Sequence, residues 1–163
     1  MVRNRRQFCN FLPGLVFAVA LGPAVPAVAG SYSPPDTKPG DKGWSDYVDP
    51  PMLDSGSARG LEPRPETPEA AVVLFLASRI RGDGAWKKAM TADPGRRAKR
   101  ALAKWQDWKL RKAQLRARKL RGENRGYVRV WFELSISGKT ETGTDDFTVV
   151  KEAGVWRIKE PPS

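Results

Sequence analysis

Val128-Arg129-Val130-Trp131-Phe132-Glu133-Leu134-Ser135-Ile136 decides the fold class. Residues 128, 130, 132, 134 and 136 are apolar, and Arg129, Glu133 and Ser135 fall between them. That two-residue period belongs to a strand with one face in a core, with Trp131 on the polar phase. Downstream, Ser137-Gly138-Lys139 has turn chemistry, and Thr142 to Lys151 reads as a strand carrying Phe147 and Val149. Glu152-Ala153-Gly154 turns the chain again, and Val155-Trp156-Arg157-Ile158 closes the sheet. Pro161 and Pro162 are expected to end the order, because proline cannot donate to a ladder. Short turns between successive strands specify an antiparallel meander.

Upstream of a turn-like Gly122-Glu123-Asn124-Arg125-Gly126, Leu110 to Arg121 carries two signals. Its Lys, Arg, Ala, Leu and Gln favour helix. Yet Ala113, Leu115 and Ala117 alternate with Gln114, Arg116 and Arg118, and the turn-then-strand that follows favours a hairpin. Before it, Asp93-Pro94 offers a helix cap and a first-turn proline. Ala98, Ala101, Leu102, Trp105 and Trp108 then lie on one helical stripe, with Arg96, Arg97, Lys99, Arg100 and Lys104 around the rest. Gly84 to Thr91 can hold a short helix anchored by Trp86, Ala89 and Met90. Thr67-Pro68-Glu69 starts the first long helix, whose Ala70 to Ala77 is a run of eight apolar residues that belongs inside a fold. Arg79 and Arg81 suit its C-terminal end and Gly82 its stop.

The N-terminal part has a different composition. Arg3, Arg5 and Arg6 precede an uncharged, mostly apolar run from Phe11 to Ala29, closing on Ala27-Val28-Ala29. A basic head, a short apolar segment and an A-x-A ending read as a secretory signal peptide over residues 1–29, cleaved near Ala29. An uncleaved membrane anchor is the competing reading, against which Pro13, Gly14, Gly22, Pro23 and Pro26 interrupt the run. Asn4-Arg5-Arg6-Gln7-Phe8 partly matches the twin-arginine motif, so that export route stays open beside the general one. The protein is therefore expected to be periplasmic or extracellular. Residues 30–66 are rich in Pro, Gly, Ser and Asp without apolar periodicity, and read as a disordered linker. Trp44, Tyr47, Val48, Met52 and Leu53 are its exceptions, open to three readings: a short strap docked on the domain, a partner-binding motif, or a few apolar residues in a flexible spacer. Residues 67–163 form the single domain that a 163-residue chain allows.

Composition narrows the chemistry. The chain has no histidine, which removes His general bases and His metal ligands. Its single cysteine, Cys9, lies in the export segment, so no intrachain disulfide forms. No catalytic constellation, metal site or cofactor motif is recognisable, and the reading leans away from an enzyme. Asp107, next to Trp108, is the best-placed carboxylate, yet it reads as a solvated helix charge.

Pro68-Glu69-Ala70-Ala71-Val72, the Gly82-Asp83 turn and Lys151-Glu152-Ala153-Gly154-Val155-Trp156-Arg157-Ile158, in that order, carry a resemblance. Over about residues 67 to 160 the chain resembles the NTF2-like (cystatin-like, SnoaL-type) α+β superfamily, in particular small exported bacterial DUF4878-like and lumazine-binding-like domains. The resemblance implies N-terminal helices packed on a curved antiparallel β-meander, with the apolar first helix in the sheet's concavity and a pocket at the cone's mouth. Members include isomerases, dehydratases and plain binding modules, so fold alone does not give the activity.

Charge is the remaining signal. Residues 96 to 125 hold thirteen basic residues against Asp107 and Glu123, an excess equal to the whole chain's +11. Arg96, Arg97, Arg100 and Lys104 share one side of the helix, and Arg116 and Arg118 share one face of the expected strand. Together they are the candidate anion-binding residues, for an anionic envelope polymer or lipid head groups. Nucleic acid is disfavoured by export. The expected function is thus an exported, non-enzymatic binding module of the cell envelope. The alternative is a small-molecule pocket lined by some of Trp86, Trp105, Trp108 and Trp131, and an outward Trp131 with Arg129 and Glu133 also suggests a homodimer face.

Overall fold

A computed structural model describes residues 32–163, and the expected export segment, residues 1–29, lies outside them. The described residues form an α+β fold: six antiparallel strands in one open sheet, ordered as in the sequence, and two α-helices. The strands are β1 (Thr37–Pro39), β2 (Ser45–Tyr47), β3 (Lys109–Leu120), β4 (Arg125–Ile136), β5 (Lys139–Glu152) and β6 (Val155–Glu160). The helices are α1 (Pro68–Arg81) and α2 (Arg96–Asp107), with a 3₁₀ turn at Ala85–Ala89 where a short helix was expected.

The ambiguous segment is β3, so its alternation outweighs its helix propensity, as tertiary pairing commonly does. Along β4 the apolar phase is buried at Val128, Val130, Phe132 and Leu134 while the polar phase is half-exposed. The β4–β5 and β5–β6 turns place Ser137-Gly138 and Ala153-Gly154, respectively, at positive φ, the pairing that two-residue turns between twisted strands require.

α1 starts as its sequence dictates. Thr67 Oγ1 accepts from the Ala70 amide at 3.1 Å, Pro68 follows, and Gly82 ends the helix in the left-handed region at φ 75°. Every residue from Pro68 to Ser78 is buried. Phe75 is the hub: its ring meets Phe147 at 5.6 Å, Trp105 at 5.4 Å and Trp86 at 5.9 Å, all edge-on. Trp105 also meets Phe132 at 6.1 Å, and its indole N–H donates to the Pro162 carbonyl at 2.9 Å.

Three expectations change. The linker is not a free spacer: β1 and β2 extend the sheet beyond β3, Leu53 and Ala113 exchange both backbone hydrogen bonds, and Tyr47, Leu53 and Ala58 are buried. Backbone pairing with β3 provides what its sequence periodicity does not, so residues 37–66 are a strap (Val48 and Met52 stay exposed). Pro161 and Pro162 do not end the order but are buried, because the Trp105 indole needs the Pro162 carbonyl. Asp93-Pro94 does not cap α2; Gly95 is the N-cap, and Asp93 instead faces Lys99 at 3.7 Å.

Trp105, 1% exposed, is a core residue, whereas Trp131 is half-buried on the other face. Trp105→Ala is expected to lower unfolding free energy by about 3–5 kcal/mol, and Trp131→Ala by less than half as much. Urea denaturation of the two variants checks this, and equal losses would contradict the placement.

Candidate functional site

The predicted cations fall into two groups. Arg96, Arg97, Arg100 and Lys104 all lie exposed on α2, whose opposite side buries Ala98, Ala101 and Trp105. Among the described residues none of these four has a carboxylate within 4 Å, while Lys99 has only Asp93. Arg97, Arg100 and Lys104 line a cleft of about 390 Å³ whose other residues are Ala101, Glu160 and Ser163. The far end of α2 is fixed by Arg79 of α1, whose Nη2 donates to the carbonyls of Trp105 and Trp108. A guanidinium there satisfies C-terminal carbonyls that have no partner within the helix.

Arg116 and Arg118 do not share a face, contrary to the plain alternation. The β3–β4 register shifts between Leu115 and Ala117, making Arg116 the extra residue of a β-bulge. The guanidinium of Arg116 lies 5.9 Å from the Trp131 ring centroid on the outer face of the sheet. Arg118 turns to the other side, where its Nη1 donates to Glu69 Oε1 at 2.9 Å. The main element against α2 is β6, not β3, so a continuous helix-to-strand patch is not formed.

Glu69 is the residue the sequence reading undervalued. It occupies the first turn of α1, is 0% exposed, and receives the Tyr47 hydroxyl on Oε1 at 2.9 Å as well as Arg118. The positive end of the helix and the guanidinium hold the carboxylate charge inside the protein. Glu69 Oε2 and the buried Tyr32 hydroxyl have no hydrogen-bond partner among the described residues. Burial, and then the Glu69 charge, push both the Tyr47 and the Tyr32 hydroxyl well above the usual phenol range. The one available signal was an acid directly preceding eight apolar residues in a helix that had to be buried.

The tryptophans do not line one pocket. Trp86 and Trp105 pack on Phe75, and Trp108 lies 5.6 Å from Trp105. Trp108 also borders a cleft of about 250 Å³ with Phe132, Leu134, Ile136 and Pro162. Trp131 is on the opposite face of the sheet, because Phe132 and its phase-mates take the inner one. That outer face is cross-linked by its own charges. Arg129 grips Asp146 through two hydrogen bonds of 2.7 and 3.0 Å and stacks 4.0 Å from Trp44, and Lys112 reaches Glu133 at 3.4 Å. Asp107 is exposed at the end of α2. Among the described residues no group of three or more acids is placed to hold a metal ion, and no helix is long and apolar enough to cross a membrane.

No protein-family description, curated protein or solved structure matches this chain. Its chemistry therefore rests on geometry. Glu69, fully buried between helix, sheet and strap, ties the three together. Arg96, Arg97, Arg100 and Lys104, by contrast, are presented to solvent and have no carboxylate partner among the described residues.

Arg118→Gln leaves the buried Glu69 carboxylate without its counter-charge and is expected to cost about 3 kcal/mol or more; Arg116→Gln costs well under 1. Similar melting losses for the two would show that Arg118 carries no special burden. A second outcome follows from Tyr47. In the unfolded chain its phenol ionises near pH 10, while in the folded protein it keeps its proton. Above that pH the unfolded state binds fewer protons, so the contribution, complete below about pH 10, is lost as pH rises, by up to about 1.4 kcal/mol per pH unit. Urea titrations at alkaline pH should show a shallower decline for Tyr47→Phe, and parallel declines would exclude the linkage.

Proposed function

We propose that this protein is an exported binding module of the cell envelope, not an enzyme, which docks on an anionic lipid surface through α2. One observation carries the reading: Arg96, Arg97, Arg100 and Lys104 project from one helix, exposed and, among the described residues, without carboxylate partners. Four cations held on a rigid helix gain from an anionic surface without first breaking ion pairs of their own. The helix is fastened from behind by Trp105 and Arg79, so docking needs no rearrangement.

Export is supported by the Arg3/Arg5/Arg6 head, the apolar run to Ala29 and its A-x-A ending. Outside the cytoplasm the abundant polyanions are phosphate-bearing envelope lipids and polymers, which makes nucleic acid the weaker partner. The domain itself we read as NTF2-like. The fully buried α1 and the consecutive antiparallel order of β3 to β6 support that reading. The bulges at Leu110/Lys112 and Leu115/Ala117 add to it, since they curve a sheet. A ligand pocket lined by the tryptophans is disfavoured, because Trp105 packs its ring on Phe75, Phe132 and Phe147 in the core and Trp131 lies on the opposite face of the sheet.

Binding of the chain from Gly30 onward, free of the Arg3/Arg5/Arg6 head and the apolar run, to phosphatidylcholine vesicles with and without phosphatidylglycerol tests the proposal. The phosphatidylglycerol-dependent part is expected to fall with salt. It should drop about a hundredfold or more when Arg96, Arg97, Arg100 and Lys104 become Gln, from about 1 kcal/mol per cation near an anionic leaflet. Binding that ignores either phosphatidylglycerol or the four substitutions would refute it.

A further inference from the structure

We infer that the cleft beside α2 is a head-group site selective for phosphomonoesters, resting on the reading that α2 docks on anionic lipid. Three of the helix's cations do more than face solvent. Arg97, Arg100 and Lys104 are spaced three and four residues apart, which stacks them along one line of the helix. All three border the same cleft of about 390 Å³, within the size range of small-molecule sites. Arg96 and Lys99, exposed on the same helix, do not border it.

The cleft's charge sets the ligand class. Its wall opposite the helix holds Glu160, which has no cation within 4 Å among the described residues. Three cations against this one side-chain carboxylate, with Ser163 beside them, leave the cleft positive and rich in donors. A terminal phosphate carries about −1.5 to −2 at neutral pH and three acceptor oxygens. A phosphodiester carries a single charge and offers fewer free oxygens. Two guanidiniums can each bind a phosphate through paired donors, while the lysine adds a point charge. Glu160, placed across the cleft, penalises an anion bound off-centre toward β6, and this favours a compact head group over a diffuse polymer chain.

The test compares vesicles containing phosphatidate with vesicles containing phosphatidylglycerol at equal zeta potential, using the full-length chain. Tighter binding to phosphatidate, by about tenfold, is expected, the worth of one added hydrogen bond to a charged group. The triple variant Arg97→Gln/Arg100→Gln/Lys104→Gln should lose that preference while keeping its melting temperature, since all three side chains are exposed. The double variant Arg96→Gln/Lys99→Gln should bind both vesicles more weakly and keep the ratio. Equal affinity for the two vesicle types, with phosphatidylglycerol binding still salt-sensitive, would overturn the head-group site and leave the docking reading standing. Loss of anion-dependent binding altogether would remove both.

Discussion

One carboxylate oxygen joins the three parts of this protein. Glu69 Oε1 belongs to the first turn of α1, receives Arg118 from β3 and receives Tyr47 from the strap. A fully buried charge is tolerated only when its partners are in place, so each of these elements specifies the position of the other two. The apolar run that follows Glu69 can then enter the core without dragging an unpaired charge with it. The aromatic hub at Phe75, two turns further along α1, builds on that placement.

The sheet's edges depend on the same strap. β3 would otherwise present a long row of unpaired donors and acceptors, an invitation to pair with another chain. β2 and Leu53 occupy part of that edge. At the opposite edge, the Trp156 amide donates to Pro65 and Ile158 accepts from the Thr91 amide. Segments that look like spacer in the sequence therefore act as edge protection at both ends.

What could be read in advance follows from which forces act locally. The alternation in β4 and the Thr67-Pro68-Glu69 start are local signals, and the helix and the meander came from them directly. β3 was legible because Ala113, Leu115 and Ala117 outvoted helix propensity. The bulge at Arg116 was not, since one inserted residue leaves no mark in composition yet reverses which side Arg118 takes. The strap was obscure because three-residue strands carry no period of their own and exist only through their partners. Trp105 lies on the apolar stripe as expected, whereas Trp108 falls beyond the last helical turn, in an extended C-cap that helix periodicity does not reach. Trp131 joined them in the expected pocket only because aromatic character was weighed above strand phase. The exposure of the α2 cations was legible, because a helix with one apolar stripe turns its opposite side to solvent.

The covering of the β6 edge has a temporal consequence. Trp156 binds Pro65, Ile158 binds Thr91, and the Pro162 carbonyl holds the Trp105 indole. Residues 156–162 thus close contacts with segments far upstream of them in the sequence. Folds dominated by such distant pairings form slowly compared with helical bundles. A chain still lacking its final strand retains an open sheet edge and an unsatisfied core indole.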